Sequence, residues 1–182
     1  KAQTWNAAGK VATVTNPRGD TWEYGYDDSG RTINVTLPNT PIGGVYDIFY
    51  DANGNTTGFE DPYGHDGSNT YDRANRLIST TDRLGVSTSY AYDAAGRQTA
   101  VVQDPGSAPH LNIETAYSYD AAGRMTAITD PNGHTTSYTY DGIGNVLTVT
   151  DADNHTTTYT YDVYGRLETI ADPLSRLTTF VY

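Results

Sequence analysis

Read for the alternation of apolar and polar positions, the chain breaks into short segments rich in Thr, Val, Ile and Tyr, each bounded by Asp, Asn, Gly or Pro. Thr135-Thr136-Ser137-Tyr138-Thr139-Tyr140 and Val146-Leu147-Thr148-Val149-Thr150 are representative. In Thr156 to Tyr161 a period of two puts Thr157, Tyr159 and Tyr161 on one face and Thr156, Thr158 and Thr160 on the other. One face packs and the other meets water. No window carries a helical period, and a Gly or Pro every few residues would interrupt one. The segments predict β-strands of about six residues.

The strands belong to a repeat. Taking as a mark the aromatic residue that precedes Asp or Asn, units open at Trp5, Tyr26, Tyr50, Tyr71, Tyr92, Tyr119, Tyr140 and Tyr161, and Tyr182 opens the next. The spacing is 21 residues except for intervals of 24 and 27, which carry insertions near 38–44 and 105–112. In the cleanest unit, from Tyr119 to Thr139, each half holds one turn with Asp first and Gly fourth, Asp120 to Gly123 and Asp130 to Gly133. That order suits a type I turn: the carboxylate caps backbone N–H groups, Pro131 presets φ, and Gly accepts positive φ. Two strands per unit predict about sixteen antiparallel strands, stacked at ~4.8 Å into a sheet on the order of 75 Å across. Accumulated twist makes so wide a sheet coil or close. The expected fold is therefore all-β, an antiparallel repeat sheet of β-hairpins wound as a β-spiral or solenoid, in a single array over residues 1–182.

Composition changes the picture in three ways. Sixteen Tyr and 18 Gly stand against one Met and no Cys, so Tyr must carry much of the packing. The lack of Cys excludes a disulfide scaffold, a thiolate metal site and a cysteine nucleophile. A net charge of −11 repels a phosphate backbone or an anionic membrane surface, and no apolar run approaches a membrane span. The chain opens Lys-Ala-Gln and stops in mid-pattern, which reads as an internal segment of something longer.

Candidate chemistry is confined to the repeat positions. Asp27, Asp51, Asp72, Asp93, Asp120, Asp141 and Asp162 follow their marks directly, and Lys10, Arg31, Arg76, Arg97, Arg124 and Arg166 stand five after theirs. One reading is a charged stripe for a ligand. The other, which eightfold repetition favours, is that Asp caps its own turn while Arg pairs with a neighbouring unit or stacks on Tyr. His65, His134 and His155 all fall fifteen after a mark, but without a carboxylate or thiolate at matching spacing they read as turn-flanking polar residues. The acidic turns Asp51 to Asn55 and Asp151 to Asn154 lack the distant Glu of a calcium loop. No catalytic, cofactor or metal site is expected. The residues singled out are structural repeat positions: Tyr26, Asp27, Gly30 and Arg31; Tyr92, Asp93, Gly96 and Arg97; Tyr119, Asp120, Gly123 and Arg124; Tyr140, Asp141 and Gly144; Tyr161, Asp162, Gly165 and Arg166. The insertions, Pro38 to Gly44 and Pro105 to His110, break the period and are candidates for partner contact.

The Tyr-Asp-x-x-Gly-Arg core resembles the YD repeats of the bacterial RHS proteins, also found in the B and C components of Tc insecticidal toxins and in animal teneurins. It stands as YDAAGR at 92–97 and 119–124, YDVYGR at 161–166 and YDDSGR at 26–31. Looser copies are WNAAGK at 5–10, YDANGN at 50–55, YDRANR at 71–76 and YDGIGN at 140–145. The resemblance implies a sheet wound into a large spiral around a cavity that, in the bacterial toxins, holds a cytotoxic domain. The family's self-cleaving segment carries Asp-Pro-x-Gly motifs in a longer signature. Asp61-Pro62-Tyr63-Gly64 and Asp130-Pro131-Asn132-Gly133 match only the short motif, so no protease function is carried over. The expected function is a non-enzymatic wall segment that encloses or presents a toxin or effector domain, in a bacterial protein that is secreted or at the cell surface. Its partners are then the rest of its own chain and that effector, not nucleic acid. The alternative is an extracellular fibre or adhesion module built by homotypic assembly of the same repeats.

Overall fold

The computed structural model describes residues 1–38, 44–104 and 112–182; most of each insertion, His110 included, lies outside them. The regular elements of the described residues are 17 strands. They are β1 (Ala2–Trp5), β2 (Val11–Thr15), β3 (Thr21–Tyr26), β4 (Thr32–Thr36), β5 (Val45–Tyr50), β6 (Thr56–Glu60), β7 (Asp66–Tyr71) and β8 (Leu77–Thr81). There follow β9 (Ser87–Tyr92), β10 (Gln98–Asp104), β11 (Ile113–Tyr119), β12 (Met125–Thr129), β13 (Thr135–Tyr140), β14 (Val146–Thr150), β15 (Thr156–Tyr161), β16 (Leu167–Ala171) and β17 (Leu177–Thr179). The described residues form two compact units, Lys1–Thr88 and Ser89–Asp104 with 112–182, whose boundary falls within β9. In the first, β1 to β8 pair consecutively and antiparallel. In the second, β10 to β17 do the same. Two strands per repeat and a turn between every pair are what the period of the sequence dictates.

The two turns of a repeat share one backbone form. Gly123 N–H donates to the Asp120 carbonyl at 3.0 Å, Asp120 N–H donates to the Arg124 carbonyl at 2.9 Å, and Gly123 has φ 86°. This is a type I turn closed by a left-handed residue, in which Gly costs least. Asn75, Asn154 and Ser175 take the same place with φ of 60°, 65° and 61°. The first turn of each repeat also differs from the second. After Tyr119 pairs with Met125 the register shifts by one residue, so that Ser118 faces Ala127. No such bulge follows Asp130, where Thr129 faces Thr135. The same shift follows Tyr26, Tyr50, Tyr71, Tyr140 and Tyr161.

Register sorts the side chains into two faces. Tyr117, Ile128 and Thr136 lie side by side, as do Tyr138, Val149 and Thr157, then Tyr159, Ile170 and Thr178. The opposite face carries hydroxyl pairs, Thr139 with Thr148 at 2.6 Å and Thr160 with Thr169 at 2.7 Å. Among the described residues no hydrophobic side chain is fully buried; these Tyr, Ile and Val side chains are half-buried, and Thr178 is exposed. A single layer has no interior, so the strands depend on their lateral neighbours.

One local packing feature departs from the repeat. Where other units place a side chain across from the aliphatic row, Phe59 faces Gly67 and its ring covers the bare backbone. A Cβ on Gly67 would meet that ring and would come within 3.1 Å of the Thr81 carbonyl, which belongs to the neighbouring backbone and has little freedom to move. Gly67→Ala is therefore expected to lower the stability of the first unit by about 1–3 kcal/mol in denaturant unfolding. Gly142→Ala, at a position with nothing within 4 Å of the added atom, is expected to be neutral. Equal effects of the two changes would refute this account of the packing.

Candidate functional site

The repeat positions converge at the joint between one unit and the next. At the turn after Tyr92, Asp93 Oδ1 accepts the N–H groups of Ala95 and Arg97 at 2.9 and 3.0 Å, and its Oδ2 accepts Arg97 Nε at 2.6 Å. The guanidinium then crosses to the following unit. Its Nη1 donates to the Asp120 carbonyl at 2.8 Å, and its Cζ stands 4.8 Å from the centre of the Tyr119 ring. Tyr119 reaches back in the other direction, donating its hydroxyl to the Gln98 carbonyl at 2.8 Å. This joint is thus closed from both sides.

The same geometry recurs. Arg124 holds Asp120 at 2.7 Å, the Asp141 carbonyl at 2.6 Å and the Tyr140 ring at 4.8 Å, and Tyr140 donates to the Met125 carbonyl at 2.7 Å. Arg31 covers Tyr50 at 4.6 Å and Tyr50 donates to Thr32, so the joint is kept where an insertion lengthens the interval. Arg166 covers Tyr182 at 4.5 Å, and Lys10 stands 5.7 Å from Tyr26. The Tyr hydroxyls of residues 26, 50, 71, 119, 140, 161 and 182 all donate to the carbonyl six residues after the preceding mark. The bulge explains why. It sets the start of the β12–β13 ladder at Ala127 and Ser137, so the Met125 carbonyl lies beyond the ladder and the Tyr140 hydroxyl satisfies it.

The ion pair of each of these Arg residues is with its own unit's Asp, while the neighbouring unit supplies a ring and a carbonyl, so Arg both contacts the neighbouring unit and stacks on Tyr. In three of the second turns His takes the place of Arg. His65, His134 and His155 set Nδ1 at 3.1, 3.2 and 3.2 Å from the Asp four residues before them. Each imidazole therefore serves its own turn. The spacing of four from Asp is the signal, shared with Arg, that sequence inspection passes over. Among the described residues no cluster of three His, Asp or Glu is placed to hold a metal.

The turn carboxylates are held ionised. For Asp120, Asp72, Asp93 and Asp162 the N–H of the Arg four residues on is the leading cause, aided by that residue's guanidinium, and the pKa lies below the usual value of 3.8. Asp61, only 6% exposed, is pushed up by burial, yet the N–H groups of His65 and Tyr63 and the His65 ring outweigh that and leave its pKa lowered. It lies in a cleft of about 440 Å³ that also takes in Leu37, Tyr46, Tyr63, Arg83 and Leu84.

The family model described as RHS repeat matches residues 5–42, 71–108, 111–135, 119–155 and 140–177. The chain belongs to the RHS repeat family. Solved structures match its fold at low identity. The structure of TcdB2-TccC3 with Cdc42 does so with a TM-score of 0.59 and 16% identity over 91% of this chain. TcdB2-TccC3 without the hypervariable C-terminal region gives 0.58 and 15% over 94%. The Photorhabdus luminescens Tc holotoxin pore gives 0.54 and 14% over the whole chain. This chain spans 11% of the length of each of those chains. No curated protein matches it in sequence. The fold is the all-β repeat sheet of the β-spiral class, and the role is that of a structural repeat segment.

Two outcomes test the joint. Tyr140→Phe keeps the ring and leaves the Met125 carbonyl without its donor, and is expected to cost about 1 kcal/mol in chemical unfolding. The second outcome concerns pH. A carboxylate whose pKa is lower folded than unfolded stabilises the fold above its unfolded pKa, and that contribution disappears as pH falls through the folded value. Melting temperature is therefore expected to change little from pH ~7 to ~5 and to fall steeply below pH ~4. A melting temperature at pH ~3 equal to that at neutral pH would contradict the turn geometry.

Proposed function

We propose that this chain is a wall segment of a longer RHS-repeat protein whose coiled sheet encloses, or presents, a toxin or effector domain, and that the protein is bacterial and acts outside the cell that makes it. The observation that carries the reading is the single layer: among the described residues no hydrophobic side chain is fully buried, and a Tyr hydroxyl of one unit ties it to a carbonyl of the unit before it. A sheet so built extends as far as repeats are added and acts as a partition between two spaces. The length ratio supports it, since matched chains of the same fold are about nine times as long and include a Tc holotoxin pore. The chemistry of the repeat supports a non-enzymatic role, because its Asp and Arg side chains are committed to turns and joints.

The complete protein that carries this sequence is to be purified and imaged by electron microscopy, with limited proteolysis in parallel. A hollow particle with internal density, and a segment that resists protease until the particle is opened, is the expected result. A solid thread of indefinite length would replace this reading with the fibre alternative.

A further inference from the structure

Two joints lack their cation. Asn55 and Asn145 stand where Arg31, Arg97, Arg124 and Arg166 stand in other repeats, and among the described residues no cation covers the ring of Tyr71 or of Tyr161. The two gaps are treated differently. At the first, the next repeat supplies Asn75 in the turn position that Gly usually holds, and Asn53 Nδ2 and Asn55 Nδ2 both donate to Asn75 Oδ1 at 2.9 Å. Amides from two repeats bridge the space.

At the second gap, among the described residues, no side chain takes the place of the missing group: the residue of the next repeat that corresponds to Asn75 is Gly165, which has no side chain to reach across. Asn145 turns back to its own turn, donating Nδ2 to Asp141 Oδ2 at 2.8 Å. The three elements that receive a guanidinium elsewhere are all retained. The Tyr161 ring is in place, fixed by its hydroxyl on the Val146 carbonyl at 3.0 Å. The Asp162 carbonyl is the counterpart of the Asp120 and Asp141 carbonyls, which accept Arg Nη1 at 2.8 and 2.6 Å. The Asp141 carboxylate faces a neutral amide where its counterparts face a full positive charge, and its pKa is nonetheless lowered.

We infer that the joint between Asn145 and Tyr161 is a binding site for a guanidinium group supplied from outside the repeat. The neighbouring joints define the pose: the planar cation lies on the Tyr161 face, as Arg97 and Arg124 lie at 4.8 Å on theirs, with one N–H on the Asp162 carbonyl and another toward Asp141. A compact ammonium meets the charge but not the plane, so the site discriminates between the two. Arg97 and Arg124 occupy successive joints, so a cation next to Arg124 has a precedent in the same unit.

The test is a titration of the folded chain followed by NMR of its Tyr ring resonances, with methylguanidinium as probe and methylammonium as control. The expected result is a saturable shift at Tyr161, little response to methylammonium, and no shift at Tyr71, whose gap the amides close. Asn145→Arg supplies the cation internally and is expected to raise the melting temperature and abolish the Tyr161 shift. Free arginine and N-acetylarginine amide separate the sources: preference for the first marks a small guanidine as the ligand, and preference for the second an arginine side chain. The absence of a saturable shift at Tyr161, an equal shift at Tyr71, or a shift retained in Asn145→Arg would each overturn the inference.

Discussion

Everything in this chain rests on a side chain of one repeat closing over the backbone of the repeat before it. A one-layer sheet has no interior into which apolar surface can be moved, so the usual driving force for folding acts only between lateral neighbours. The bulge at the first turn leaves a carbonyl outside the ladder. A Tyr one repeat away satisfies it and in doing so lays a large ring along the joint. The ring's free face is then covered by the planar guanidinium of Arg, whose remaining N–H groups hold the Asp that caps its own turn. Backbone irregularity, aromatic residue and charge follow from one another in that order.

The excess of acid has the same origin. Asp opens nearly every turn because its carboxylate can take two N–H groups of the turn at once, as Asp93 takes those of Ala95 and Arg97. In the first turns Arg balances much of that charge. In the second turns the place four residues after Asp is held by His65, His134, His155, Val86 or Arg176, which leaves most of those carboxylates with a weaker partner or none of opposite charge. The turns thus contribute a large part of the net charge of −11, at both ends of the strands, and acids outside the capping positions, such as Glu23, Asp47, Glu60, Asp66 and Glu168, add to it.

The architecture was written openly in the sequence because repetition states each local rule many times. Alternation bounded Thr135–Tyr140, Val146–Thr150 and Thr156–Tyr161 where the strands lie, and the Asp and Gly offsets marked the turns. The joint was legible only in part. Stacking of Arg on Tyr was among the expectations, but the ion pair forms within the turn, since a spacing of four brings the guanidinium back onto its own Asp. The Tyr hydroxyl contact could not be read from residue type, because it depends on a bulge that any residue can adopt; the constant offset of six from the preceding mark is its one trace. Asn at 55 and 145 are both looser copies of the motif, and what separates the bridged gap from the open one is where each amide turns, Asn55 to Asn75 of the next repeat and Asn145 to its own Asp141.

The meander has a mechanical corollary. Consecutive antiparallel strands joined by tight turns place their ladder bonds across the line of the chain, so tension on the polypeptide loads them one after another instead of together. Such an array lengthens stepwise, each 21-residue repeat paying out about 70 Å of contour as it yields. Its resistance to extension is set by the joint at the front of the unravelling segment, whatever the number of copies behind it.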